Sequence, residues 1–314
     1  MSVLVVGSVA LDNVRTPYGE VKESLGGSCC YASVAASYFA PTAIVGVVGG
    51  DFPKRHLALL DRHGIDRQGL QIDKAGRTFR WTGYYEYEMS QAHTLNTELN
   101  VFAEFRPEIP EALRRSEFLL LGNIDPDLQL EVLRQMKRPR LVLIDTMNFW
   151  IGGKREALLR VMKQCDVALL NDAEARQLCD TPSLHKAAKR LLQMGLKRVV
   201  IKKGENGCLV VSKSDVFTAP AYLLEVIRDP TGAGDTFAGG FIGYLAGAKR
   251  LDDATFRKAV VVGTAMASFT VEDFSLKRLD RLEMSEIQER CARVRAQAEI
   301  PAVRLPVRRK PVLG

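Results

Sequence analysis

The sequence predicts an α/β fold: a central, mostly parallel sheet flanked by helices, with a small second β-sheet beside it. Three observations carry that expectation. Short runs rich in Val, Ile and Leu recur along the chain, as strands buried on both faces require. Amphipathic stretches with helical spacing separate many of them, which is the alternation of βαβ units. One segment rich in Thr, Phe, Trp and Tyr breaks the alternation without a helical pattern.

Taken in order, Val3–Val6 is the first strand run, and Asp12–Ser24 reads as extended chain. Ala43–Val48 is a second buried strand, followed by an amphipathic helix over Pro53–His63. Gly69–Asp73 and Arg77–Glu88, with Trp81, Tyr84, Tyr85 and Tyr87 close together, join Asp12–Ser24 as pieces of the small sheet. That sheet is built from insertions near 12–25 and 69–103, and beside the ligand end of the main sheet it would act as a lid. Strands over Phe118–Leu121, Leu141–Ile144 and Val167–Leu170 then alternate with helices over Asp127–Lys137, Lys154–Gln164 and Leu184–Met194. Gly195 is placed to cap the last of these. Val199–Ile201 and Leu209–Val211 are the final strand runs, and Gly234 to Ala298 looks mainly helical. Residues 1–300 read as one domain and residues 301–314 as a flexible basic tail.

Composition limits the function classes. With 314 residues, 46% hydrophobic and 26% charged, the chain is not disordered, collagenous or a coiled coil. No run reaches the ~18 apolar residues of a membrane-spanning helix. The start, Met1-Ser2-Val3-Leu4, lacks a basic region, so no signal peptide is expected. Part of the net charge of +7 sits in Arg304, Arg308, Arg309 and Lys310. We read these as a solvated tail, and expect neither a nucleic-acid nor a membrane partner. The cysteines Cys29, Cys30, Cys165, Cys179, Cys208 and Cys291 form no C-x-x-C pair, which suits a reducing, cytoplasmic setting without disulfides or structural zinc.

The sharpest chemical signal is Asp229-Pro-Thr-Gly-Ala-Gly-Asp-Thr236, a glycine-rich turn opening a helix. Free backbone N–H groups of Gly232, Ala233, Gly234 and Asp235 and the helix dipole would cradle an anion there. Asp235, beside that anion, is placed to accept a proton from an incoming hydroxyl. Phosphoryl transfer needs this combination of a positioned carboxylate and charge stabilisation. No Walker A loop and no G-x-G-x-x-G dinucleotide fingerprint occurs in the chain. Asp12 follows a buried strand, at the sheet edge where open α/β folds bind ligands.

This run resembles the C-terminal signature of the ribokinase-like, or PfkB, family of carbohydrate and nucleoside kinases. Gly7-Ser8-Val9-Ala10-Leu11-Asp12, Gly26-Gly27-Ser28, Val45–Asp51, Asn171-Asp172-Ala173-Glu174 and Lys203-Gly204-Glu205-Asn206-Gly207 resemble further family motifs in the same order, across Val3 to Arg290. The resemblance implies a ribokinase-like fold and an ATP-dependent kinase acting on a hydroxymethyl group of a sugar or sugar-like compound. It makes Asp235 the base and Gly232, Ala233 and Gly234 part of the anion hole. Asp12, Gly26 and Gly27 would hold substrate. Asn171 and Glu174 would serve Mg²⁺, through water, and the phosphates. Lys203, Gly204 and Gly207 would line the nucleotide site. Some members also bind a monovalent cation near the anion hole; Asp229 and Thr231 match that position, so K⁺ activation is a further expectation. A homodimer joined through the lid is another.

Departures bear on the acceptor. Ribokinase has an Asn where this chain has Ala10, and its Gly-Gly motif continues Lys-Gly-Ala-Asn where this chain has Ser28-Cys29-Cys30-Tyr31. Free ribose is therefore disfavoured. Ser28 and Tyr31, with Arg80 and Trp81 on the lid, are candidates to stack on a ring or bind an acidic group. Asn123, Asp125 and Asn148 follow predicted strands and are further candidates for substrate contacts. A nucleoside acceptor is the alternative, and a non-catalytic nucleotide- or sugar-binding regulator a third reading.

Overall fold

A computed structural model describes residues 1–89, 91–299 and 301. The basic segment carrying Arg304, Arg308, Arg309 and Lys310 lies outside the described residues. The chain begins β1 (Val3–Val6), β2 (Ala10–Thr16), β3 (Gly19–Gly26), α1 (Ser28–Ser37), β4 (Thr42–Gly49) and α2 (Lys54–Arg62). It continues β5 (Asp66–Asp73), β6 (Phe79–Tyr85), β7 (Ala92–Glu98), β8 (Phe118–Leu121), α3 (Pro126–Gln135), β9 (Leu141–Asp145) and α4 (Asn148–Gly153). Next come α5 (Arg155–Met162), β10 (Val167–Asn171), α6 (Asp172–Cys179), α7 (Leu184–Gln193), β11 (Arg198–Lys202), β12 (Cys208–Ser212) and β13 (Val216–Ala219). Three helices close it: α8 (Ala233–Gly247), α9 (Asp253–Thr270) and α10 (Met284–Ala296).

The main sheet has nine strands in the order β13-β12-β11-β10-β9-β8-β1-β4-β5. From β11 to β5 all neighbours pair in parallel; β12 and β13 extend the sheet antiparallel. Alternate residues of each strand enter opposite cores. Val3 and Val5 pack with α1, α8 and α9, while Leu4 and Val6 pack with α3, α5, α6 and α7. This double burial is why the strands are continuous apolar runs rather than alternating ones. Strand order reverses around β1, which lies between β8 and β4. Crevices outside the carboxyl ends of strands at such a switch point are where open α/β sheets take ligands.

The second sheet has four strands, β3-β2-β6-β7, and β2 pairs antiparallel with β3 but parallel with β6. One expectation is corrected. Gly69–Asp73 is not in this small sheet: it is the end of β5, paired in parallel with β4 at the edge of the main sheet. It follows α2 as the third member of a β4-α2-β5 unit, and Gly69 and Leu70 are buried there. Local composition does not distinguish an edge strand from an inserted one; the crossover helix does.

Two contacts position the site. Helices α1 and α8 pack in the same direction, Ala32 against Gly239 and Ala36 against Gly243. A Cβ on Gly239 would stand 2.1 Å from the Ala32 carbonyl oxygen, so the approach depends on glycine. Both helices thus bring their N-termini to the same end of the molecule. Ser28 at the start of α1 is tied to Ser8 after β1: the Ser8 N–H donates to Ser28 Oγ (3.2 Å) and the Ser28 N–H to Ser8 Oγ (3.1 Å). Ser28→Ala leaves the buried Ser8 N–H without its acceptor. It should lower the free energy of unfolding by about 1–3 kcal/mol, read from urea denaturation. An unchanged midpoint would contradict the clamp.

Candidate active site

The glycine-rich turn forms where the sequence places it. Gly232 is the residue before α8, in the left-handed region at φ 75°, and a Cβ there would also lie 2.4 Å from the Tyr31 ring. Asp235 is the third residue of α8, not its cap. The Ala233 N–H, expected to be free, is used within the turn by the Pro230 carbonyl at 3.2 Å. The N–H groups of Gly234 and Asp235 have no backbone acceptor outside the helix among the described residues. They are the donors left for an anion at the positive end of the helix.

Three carboxylates converge near this turn. Asp235 is half-buried, and enclosure by protein together with Asp145 raises its pKa to about 7 against the pull of Lys202. A carboxylate poised there suits a general base at neutral pH. Asp12, in β2 beside Gly26, is buried; burial first, then the charges of Asp229 and Asp235, raise it to about 7, while the Gly27 N–H works the other way. Its Oδ2 occupies the space where a Cβ on Gly26 would be, 1.8 Å away, which is why that position is glycine. Asp229 is buried, and burial pushes it up although it accepts from the Thr231 N–H (2.9 Å) and the Ser275 N–H (3.4 Å).

Asn171 and Glu174 interlock as a capping box on α6. The Asn171 side chain accepts from the Glu174 N–H (2.8 Å) and the Glu174 carboxylate from the Asn171 N–H (2.7 Å). Glu174 is buried, and burial, then Asp145, raise it to about 7 against the pull of Lys202. Two residues of this cluster were missed from sequence. Lys202 Nζ donates to Asp145 Oδ2 at 2.9 Å and lies 3.0 Å from where a Cβ on Gly234 would stand. Both are the last residues of buried parallel strands, β11 and β9, and that strand-end position was the available signal. The neighbouring Lys203, singled out instead, begins the turn to Gly204–Asn206, where its N–H donates to the Gly207 carbonyl at 2.8 Å.

Other expected contacts are redirected. Ser28 is occupied by Ser8 and does not present a free hydroxyl. Tyr31 is buried in the core with its ring under Gly232, so it supports the turn rather than offering a stacking face. Arg80 is buried and pairs with Asp51 (2.8 Å) and Glu23 (3.0 Å), which removes it from acid recognition. Asn123 Oδ1 accepts from Trp150 Nε1 at 3.0 Å, and Asp125 caps α3 and pairs with Lys154. Asn148 is exposed at the start of α4. On β6, Trp81 and Tyr85 alternate onto the sheet face that carries Asp12 in the neighbouring strand. The Thr231 hydroxyl donates to the Tyr85 hydroxyl at 3.2 Å, joining the small sheet to the glycine turn.

The doubly covered sheet and a carboxylate beside a glycine-rich helix start suit a small-molecule kinase, and comparison with known proteins supplies the class and the family. The pfkB family carbohydrate kinase model matches residues 1–279, and the chain belongs to that family. It is a phosphotransferase with a hydroxyl group as acceptor, a sugar or nucleoside kinase of ribokinase-like fold. Cytidine kinase of Thermococcus kodakarensis is 32% identical over 254 residues, 79% of this chain and 90% of that protein. Inositol 3-kinase of Arabidopsis thaliana is 24% identical over 312 residues, 95% of this chain and 82% of that protein. A crystal structure of a putative ribokinase II from E. coli in complex with ATP and Mg²⁺ superimposes with a TM-score of 0.78 at 18% identity, covering 93% of this chain and 99% of that one.

The raised carboxylates make the ligand-free site a stability cost. Asp12 binds its proton more tightly folded than unfolded, so stability falls as pH rises from its ordinary 3.8 through about 7. Asp12→Asn removes the penalty and keeps an acceptor for the Gly27 N–H. It should raise the melting temperature at pH 8 by a few degrees, the gain vanishing near pH 4. A lowered melting temperature at pH 8 would contradict the assignment.

Proposed function

We propose that this chain transfers the γ-phosphoryl group of Mg·ATP to a hydroxymethyl group of a sugar or sugar-like molecule. The observation that carries the reading is Asp235 held beside the Gly234 and Asp235 N–H groups at the start of α8, which have no backbone acceptor outside the helix among the described residues. Asp235 takes the proton of the acceptor hydroxyl, whose oxygen forms the new bond to phosphorus. The bond from phosphorus to the bridging oxygen of ADP breaks. The two N–H groups donate to phosphoryl oxygens, and Asp12, for whose carboxylate Gly26 leaves room, accepts from substrate hydroxyls. Lys203, Gly204 and Gly207 line the nucleotide side.

The residues fit Mg²⁺ bound chiefly through phosphate and water. Asp145, Glu174 and Asp235 surround the ammonium of Lys202; burial first, and then the Asp145 charge, raises Glu174 and Asp235 to about 7, so a cation held beside them would favour their charged forms. Among the described residues no three acidic, His or Cys side chains form a direct metal cage. Bound there, the ion would neutralise charge developing on the phosphates. Asp229 and Thr231 fit a monovalent cation, because among the described residues the buried Asp229 carboxylate is met by N–H donors and no basic side chain. We further propose that a second copy of the chain pairs through the small sheet; one of its two edge strands, β7, exposes Leu95.

A nucleoside acceptor is the second reading. Trp81 on the Asp12 face of the small sheet offers an aromatic surface to a base, and the 32% identical relative is a cytidine kinase. An ATP-consumption screen with Mg²⁺, and K⁺ or Na⁺, decides among sugars, cyclitols and nucleosides. Asp235→Asn should lower kcat by about 10²–10⁴-fold; turnover near the parent rate would remove Asp235 as base. For the parent enzyme, kcat/KM should rise with pH through about 7. The acid limb should exceed one-proton steepness, since Asp12 and Glu174 lose protons in the same range. A plateau already reached at pH 5 would contradict the environment described for Asp235.

A further inference from the structure

Among the described residues Lys202 is the basic side chain enclosed by Asp145, Glu174 and Asp235, and its placement is not accounted for by the base and the anion hole. Its ammonium lies 3.0 Å from where a Cβ on Gly234 would stand, at the turn whose Gly234 and Asp235 N–H groups have no backbone acceptor outside the helix among the described residues. Its side chain is 17% exposed, and Asp145 is its only side-chain hydrogen-bond partner among the described residues. An ammonium carries three donors, so two remain. Asp145 is fixed from both sides: Oδ1 accepts from the Thr146 N–H at 2.9 Å and Oδ2 from Lys202. A buried Lys–Asp pair is a weak source of stability, because desolvation offsets the attraction. Its position beside an anion-binding turn gives it another use.

We propose that Lys202 is a catalytic residue of the phosphoryl transfer, its ammonium donating to a non-bridging oxygen of the transferring group, and that Asp145 is its positioning residue. The inference rests on the kinase reading above. Lys202 stays protonated throughout: the acceptor proton goes to Asp235, the new O–P bond forms, and ADP leaves with the electron pair of the broken P–O bond. The ammonium meets charge as it spreads over the phosphoryl oxygens, in a site where a preorganised donor needs little rearrangement. Lys203 cannot substitute, since adjacent residues leaving a strand point to opposite sides.

The test measures kcat and KM for Lys202→Met, Lys202→Arg, Asp145→Asn and the Lys202→Met/Asp145→Asn double variant on the acceptor found by the screen, with Asp235→Asn alongside. Lys202→Met should lower kcat about 10²–10³-fold with acceptor KM within about threefold of the parent. Lys202→Arg should recover at least about tenfold of that loss. If Asp145 acts only through Lys202, the double variant is no slower than Lys202→Met, whereas independent roles would multiply. Near-parent kcat in Lys202→Met, with Asp235→Asn inactive, overturns the inference and leaves the kinase reading standing. An active Asp235→Asn instead overturns the base assignment. A multiplicative double variant overturns the positioning role. Should Lys202→Met fail to fold by circular dichroism, Lys202→Gln against Lys202→Arg carries the same comparison: equal rates overturn the proposal, and a slow Gln with a recovering Arg supports it.

Discussion

Four carboxylates gathered at one end of a doubly covered sheet are the constraint around which this molecule is arranged. Asp12, Asp145, Glu174 and Asp235 come from β2, β9, α6 and α8, and Lys202 from β11 is the ammonium that Asp145, Glu174 and Asp235 enclose. Such a set would spread apart in a flexible chain. Here Asp145 and Lys202 end parallel strands buried on both faces, Glu174 stands in the first turn of the helix that follows β10, and Asp12 and Asp235 are brought in by β2 and α8. The raised pKa values of Asp12, Glu174 and Asp235 record the electrostatic cost that the two cores sustain.

The opposite sign is supplied by backbone. α1 and α8 run the same way, so two helix N-termini face the acidic groups. Their closeness rests on Gly239 and Gly243 against the α1 backbone, and on Tyr31 filling the space beneath Gly232. A contact between the Tyr85 and Thr231 hydroxyls links the small sheet to this turn, so movement of that sheet would be felt at the N–H groups that open α8. Packing of small residues and chemistry at the turn are therefore one arrangement.

Much of the fold is legible in the sequence because burial on both faces leaves a plain mark: every apolar run read as a strand forms one. Gly69–Asp73 was misplaced because an edge strand and an inserted strand share the same composition. The glycine turn with Asp235 and the Asn171–Glu174 capping box were legible because each lies in a short motif whose spacing is local. Ser28, Tyr31 and Arg80 were misread because their residue types suit recognition, while their partners Ser8, Gly232, Asp51 and Glu23 are distant in sequence.

The sequence by itself determined the sheet, the helices and the glycine turn with its acid, since these depend on periodicity and on conformations that neighbouring residues impose. Only the tertiary structure decided which of two adjacent lysines faces the turn, and which polar side chains remain free. Strand register and packing set those answers: Lys202 ends β11 paired with Asn171 and turns inward to Asp145, while Lys203 leaves the strand. A side chain's availability depends on what the fold brings against it, and no local pattern encodes that.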